Sequence, residues 1–154
     1  MKRTFFLFLL GALLWSGCSN TLEVMVSGNS DMNSGGNAAV VHIYQLSGEG
    51  NFTNTPLSSF WRDDEAALGG ELVTTPQRIT LYPNETKTIE FELAETTTFI
   101  GVAADLRNPD REQWRAIYSV DDVGDRVTVT VQNDRISVQA EGGGGLPLVG
   151  ARLP

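Results

Sequence analysis

The sequence predicts an all-β protein, a β-sandwich with one short added helix. Three observations point there. Short runs in which apolar and polar residues alternate recur from Thr21 to Ala140, the period of a strand with one buried face. Clusters of Gly, Asn, Asp and Pro separate those runs, as turns require. One stretch alone carries apolar residues at helical spacing, so there is no βαβ rhythm and two packed sheets are expected.

The elements follow in order. Thr21 to Ser27, TLEVMVS, places Leu22, Val24 and Val26 on one face and Glu23 and Met25 on the other. Residues 28–37, GNSDMNSGGN, form a long polar loop whose one apolar side chain is Met32. Ala38 to Leu46, AAVVHIYQL, is apolar enough for a central strand, and 47–54 reads as a second polar loop. A single helix is predicted from Thr55 to Leu68. Thr55 suits its N-cap and Pro56 its first position, and Gly69 and Gly70 supply the stop. Leu57, Phe60, Trp61 and Leu68 share one face of it, with Asp63, Asp64 and Glu65 toward solvent.

Strand signals then return. Glu71 to Val73 reads as a short strand, and Arg78 to Tyr82 as another before a turn at Pro83 and Asn84. Lys87 to Leu93 points Ile89, Phe91 and Leu93 inward, and Thr97 to Leu106 is apolar on both faces. After a turn at Asn108 to Asp110, the strand Gln113 to Val120 puts Trp114 in the sandwich core and Arg115 opposite, facing a surface carboxylate. Asp121 to Asp125 is read as a turn of solvated acids. Arg126 to Gln132 and Arg135 to Ala140 are joined by Asn133 and Asp134 as a hairpin. The tail from 141 to 154, with its four-glycine run, has no packing pattern and is expected to be flexible.

The N-terminus carries Lys2 and Arg3, a ten-residue apolar run from Phe5 to Leu14, then Trp15, Ser16, Gly17 and Cys18. That is the layout of a secretory signal peptide. The run falls short of the roughly 20 residues that span a bilayer. Residues 1–17 are therefore expected to be removed. Residues 18–27 would form the lipid-anchored N-terminus and first strand, and 21–140 the sandwich domain. Cys18 is the one cysteine of the chain, and the small residues before it resemble a bacterial lipobox. Trp15 stands where that motif usually has an aliphatic residue, and cleavage after Ser19 by an ordinary signal peptidase is the competing reading. A lipidated Cys18 would hold two or three acyl chains, each CH2 adding about 0.8 kcal/mol on burial. Ser19 after the cysteine, rather than Asp, resembles the default for sorting to the outer membrane.

Composition narrows the function. The 154-residue precursor has 19 acidic and 11 basic residues and a net charge of −8. Loss of Lys2 and Arg3 makes the processed chain more acidic still. Nucleic-acid binding, which needs clustered Lys and Arg, is excluded. His42 is the lone histidine, expected to face the core as a structural residue. No metal site or cofactor is expected beyond the covalent lipid, and no nucleophile–base set points to an enzyme or a small-molecule substrate. The acidic run Asp63 to Glu65 reads as solvated, and DDVGD at 121–125 lacks the spacing of a calcium loop.

Several segments in order carry a family resemblance: HIYQL at 42–46, Phe60 followed by Leu68-Gly69 and Leu72, LYPNE at 81–85, FIGVAADLRNPD at 99–110, and Trp114-Arg115. Together they resemble the TssJ (SciN/VasD) family, the outer-membrane lipoproteins of type VI secretion. The resemblance implies a transthyretin-like β-sandwich with a helical addition. It also implies a periplasm-facing protein on the inner leaflet of the outer membrane. Its partner would be the periplasmic C-terminal part of TssM, an inner-membrane protein, bound through the loop after the first strand. The partner-binding residues it implies here are Asn29, Asp31, Met32 and Asn33, with Cys18 as the lipid attachment. The alternative is a lipoprotein of similar fold that binds a small ligand or peptidoglycan, which would need a concave site lined by aromatics.

Overall fold

The computed structural model describes residues 20–141. The chain builds two four-stranded sheets. The first has the order β4-β1-β7-β8 and the second β3-β2-β5-β6. β1 is Thr21–Gly28, β2 Ala39–Leu46, β3 Gln77–Leu81, β4 Thr86–Glu92, β5 Phe99–Ala104, β6 Arg115–Ser119, β7 Arg126–Val131 and β8 Ile136–Glu141. β1 runs antiparallel to β4 and parallel to β7, with Val24 opposite Ile89 on one side and Val127 on the other. The β7–β8 hairpin forms as expected, with Val131 opposite Ile136.

Alternation decides which face is buried. Leu22, Val24 and Val26 of β1 and Val127, Val129 and Val131 of β7 are fully buried, while the residues between them are not. The second sheet differs, because both of its faces are covered. Every residue from Ile100 to Ala104 and from Arg115 to Tyr118 is buried, which explains why these strands read as continuous apolar runs. Toward the first sheet, the Tyr118 hydroxyl donates to Val138 O at 2.9 Å and Gln45 Nε2 to Glu92 O at 3.1 Å. On the opposite face lies a helical layer.

That layer differs from the single helix expected over 55–68. It comprises α2 (Gly50–Asn54), α3 (Leu57–Phe60) and α4 (Asp64–Leu68), followed by a 3-10 turn at Gly69–Glu71. Thr55 ends α2 instead of starting a helix, and its hydroxyl donates to Asn51 O at 2.7 Å. Asp63 takes an extended conformation, φ −164°, and its side chain accepts from Ala66 N at 3.0 Å. An N-cap in mid-sequence ends one helix and starts another. The loop expected at 47–54 contains α2, because Phe52 is buried within it. The short strand expected at Glu71 to Val73 is a single bridge between Leu72 and Leu46. The turn expected at 121–125 begins as the short helix α5, Val120–Val123.

Aromatic rings fill the space between the helices and β2. Tyr44, Phe52, Phe60, Trp61 and Trp114 pack edge-on or tilted, with centroids 5.0 to 5.8 Å apart. Each such pair adds about 0.5–1.5 kcal/mol beyond area burial. Trp114 therefore sits in this second core, against Phe60 at 5.0 Å, and not in the sandwich core as expected. Gly101 makes room for it all, since a Cβ there would lie 2.8 Å from the Phe52 ring.

Candidate functional site

The loop after β1 is densely hydrogen-bonded. Asn33, Ser34, Gly35 and Gly36 all have positive φ, at 48°, 64°, 89° and 92°. The two glycines take this conformation freely, Asn tolerates it, and Ser adopts it at a cost. Within the distorted turn α1 (Met32–Gly35), the backbone is held from outside. Asn33 N donates to Gln132 O at 2.9 Å and Ser34 N to Asn133 O at 2.8 Å. The Asn33 side chain, 4% exposed, donates to Ala38 O at 2.6 Å and accepts from Arg107 N at 2.8 Å. Asn37 Nδ2 reaches both Asn33 O and Ser34 O at 3.0 Å.

Met32 is the plug beneath the loop. It is fully buried, and its Sδ would lie 2.4 Å from a Cβ placed on Gly28. Glycine at 28 is thus the condition for Met32 to enter. Of the residues implied for partner binding, Asn29 and Asp31 are exposed, whereas Met32 and Asn33 point inward. Those two side chains shape the loop, leaving its outer surface to Asn29, Ser30, Asp31 and Gly35. Cys18 lies outside the described residues; β1 starts at Thr21, three positions later.

Two further loops complete this end of the molecule. In the turn Tyr82–Glu85, Asn84 has φ 62°, Asn84 N donates to Gly28 O at 3.0 Å, and Gly28 N donates to Glu85 O at 2.9 Å. Tyr82, 56% exposed, is the one large apolar side chain facing solvent among the described residues. In the loop after β5, Asn108 Nδ2 donates to Ser34 Oγ at 3.2 Å and Asp110 N to Asp134 O at 2.8 Å. Arg111 there has φ 52°. Asn33, Ser34, Asn84 and Arg111, which are the described non-glycine residues with positive φ, therefore all lie at one end of the sandwich. Sequence reasoning singled out one of these three loops. LYPNE and RNPD marked the others as turns, but nothing in them says that they meet.

The helical layer is fixed by two polar anchors. Asp64 Oδ2 accepts from the Tyr44 hydroxyl at 2.7 Å and lies 2.7 Å from His42 Nδ1. Arg78 reaches its other oxygen at 3.4 Å. Burial alone would push the Asp64 carboxyl up. The hydrogen bonds from Tyr44 and His42, with the charges of His42 and Arg78, outweigh it and hold the carboxyl below its ordinary range. Burial and then Asp64 push the Tyr44 hydroxyl far up. Asp64, 12% exposed, is thus not the solvated residue expected, and His42 faces Trp61 and the helical layer, not the sandwich core. The second anchor is Arg115, 3% exposed. Its guanidinium donates to Phe52 O, Thr53 O and Thr55 O at 2.6 to 2.8 Å, capping the C-terminal carbonyls of α2, and pairs with Glu112. The expected surface pairing of Arg115 is with Glu112, but the arginine itself is interior, and burial lowers its pKa.

Among the described residues no group of His, Cys, Asp or Glu is placed to hold a metal ion. A surface hollow of about 550 Å³ is lined by Thr21, Glu23, Glu90, Asp125, Arg126 and Glu141. It has no aromatic wall and lies at the end opposite the loops, where β1 begins.

Fold and site together define a β-sandwich whose differentiated surface is a set of interlocked loops at one pole. Residues 20–140 match the model of the type VI secretion lipoproteins, described as VasD, EvfM and TssJ, and the chain belongs to that family. Its structure is similar to the type VI secretion lipoprotein TssJ1 from Pseudomonas aeruginosa, with 20% identity, a TM-score of 0.71, and coverage of 81% of this chain and 98% of that one. Lip from Serratia marcescens, a membrane-bound component of the type VI secretion system, gives 15% identity, a TM-score of 0.71, and 80% and 98% coverage. A chain in the structure described as "T6SS protein TssM C-terminal domain (869-1107) from EAEC" gives 20% identity, a TM-score of 0.67, and 77% and 97% coverage. At these identities the likenesses establish the fold. Among curated proteins none matches the chain significantly.

Proposed function

We propose that this lipoprotein is anchored through Cys18 in the inner leaflet of the outer membrane and faces the periplasm. There it tethers the type VI secretion membrane complex by holding the periplasmic C-terminal part of a TssM-type protein. The processed chain then begins at Cys18, with residues 1–17 as its signal peptide and the residues after Glu141, where β8 ends, as a tail behind the sandwich. The observation that carries the docking role is the gathering of Asn33, Ser34, Asn84 and Arg111 at one pole. Non-glycine residues with positive φ cost free energy, and they persist where the surrounding structure over-determines them, commonly at binding sites. A surface already held in one shape loses little entropy on binding.

The geometry suits a tether. β1 starts three residues after the anchor and rises about 3.3 Å per residue, so its eight residues carry the loop roughly 25 Å from the membrane end. Membrane confinement raises the effective concentration of the contact, so that moderate affinity suffices. A ligand-binding role finds no support in the acidic hollow, which has none of the aromatic lining that such sites use.

The test is binding of the purified periplasmic TssM domain to the lipoprotein and to a variant with residues 29–37 replaced by a short Gly-Ser turn. The variant should lose binding while keeping the β-sheet circular dichroism of the parent. Equal binding by the two proteins would remove the loop from the interface.

A further inference from the structure

Four acids of the loop pole are engaged within it, while Asp31 and Asp105 are exposed with no cation in ion-pairing distance among the described residues. Asp110 accepts from Gln113 Nε2 at 2.8 Å and lies 3.5 Å from Arg135 Nη2. Asp134 pairs with Arg135 at 2.9 Å, and Glu112 pairs with the buried Arg115. Glu85 pairs with Lys87 at 3.3 Å and accepts from Tyr82 N. Two cations in the same loop remain unmatched. Arg107 and Arg111 are exposed, and among the described residues neither has a carboxylate within ion-pairing distance. Except for Arg62 in the helical layer, the other described cations are paired.

Both arginines are held in place at the backbone. Arg107 N donates to the buried Asn33 side chain, which ties it to the loop after β1, and Arg111 is fixed at φ 52°. The opposite pole has the reverse character. Glu23, Glu90, Asp125 and Glu141 surround Arg126 as its one cation, and Glu95 and Asp121 line the neighbouring hollow. The described residues are thus electrically polarised along β1, with a near-neutral loop pole, where the free guanidinium groups of Arg107 and Arg111 offset the free carboxylates of Asp31 and Asp105, and an acidic anchor pole.

We infer that Arg107 and Arg111 form a carboxylate-reading face of the docking surface, and that the partner presents acidic side chains to it. This rests on the docking reading above and adds the partner's chemistry. A guanidinium fork matches a carboxylate with two parallel hydrogen bonds. Unpaired rim charges act mainly on the association rate and its salt dependence. The acidic pole repels a partner bearing carboxylates, so that such a partner meets the loops first. A protein is favoured over lipid phosphate as the source of the negative charge, because the arginines lie a full strand length from the anchor.

The experiment measures association of the TssM periplasmic domain with the lipidated protein in detergent at 50 and 300 mM salt. The variants are Arg107→Glu/Arg111→Glu, Arg107→Gln/Arg111→Gln and Arg62→Glu, each checked for folding. The double reversal should slow association roughly tenfold or more at low salt and flatten the salt dependence. The double Gln variant should fall between it and the parent, and Arg62→Glu should match the parent. Parental rates and salt slope in both double variants would overturn the inference while leaving docking intact. Failure of the parent to bind at all would overturn docking and this inference together. Binding of the unlipidated protein to anionic phosphatidylglycerol vesicles that the double variants lose, with TssM association unchanged, would assign the arginines to lipid and overturn the inference.

Discussion

Asn33 carries the loop pole in a way its sequence position does not announce. Its side chain serves one acceptor and one donor, from Ala38 and Arg107, while its own backbone sits in the left-handed region. Asn33→Ala removes both bonds, leaves Ala38 O and Arg107 N without those partners, and forces an alanine into a disfavoured conformation. The expected cost is about 2–4 kcal/mol, read as a lower denaturant midpoint at unchanged m-value. Asp64 makes a different statement. Its carboxyl is held below the ordinary range when folded, so the unfolded chain takes up the proton first as pH falls. The stability Asp64 contributes is therefore present above the ordinary carboxylate value and is lost as pH falls below about 4 through the lower folded value. Urea unfolding of the parent and of Asp64→Asn should differ clearly at pH 6 and converge toward pH 3. A difference that persists unchanged at pH 3 would contradict this assignment.

At the scale of elements, the strands were legible and the helical layer was not. Alternation in Leu22, Val24, Val26 and in Val127, Val129, Val131 reports a one-sided environment directly, and the structure keeps it. The 55–68 segment reads as one helix because Leu57, Phe60, Trp61 and Leu68 satisfy helical spacing even though the chain turns between them. Asp63 is an interior N-cap and Thr55 a helix end, and each residue type suits another role as well. Phe52 sat in a segment polar enough to pass for a loop. Tertiary contact with Tyr44 and Gly101 makes it a helix, and no local pattern encodes that contact. The pole was legible in part. A long Gly- and Asn-rich loop stood out, but the burial of Met32 depends on Gly28, and the meeting of three loops depends on topology.

Arg115 is the element-scale test of how the helical layer is held. Arg115→Ala strips the donors from Phe52 O, Thr53 O and Thr55 O and should cost about 3 kcal/mol or more. Arg115→Lys should recover little, since an ammonium cannot spread donors over three carbonyls. Gly101→Ala brings a methyl against the Phe52 ring and should destabilise by about 1–3 kcal/mol. Both are measured by denaturant unfolding, and a neutral Gly101→Ala would mean that the helical layer is loosely seated.

The described residues form a sandwich with two dissimilar poles, one where β1 begins and the other closed by strained, cross-bonded loops. Tyr82 is the exposed aromatic of the loop pole, and buried aromatics dominate protein contacts. Tyr82→Ala should weaken TssM binding by about 1–2 kcal/mol, roughly a tenfold change in Kd, with the folding midpoint unchanged. The central claim is that the loop pole meets the partner while the sheet face does not. The most direct measurement places a photocrosslinking residue at Asp31 and, separately, at Glu90 in cells carrying the assembled secretion complex. An adduct with the TssM-type protein at Asp31 and none at Glu90 is the expected result. An adduct at Glu90 with none at Asp31 would contradict the claim.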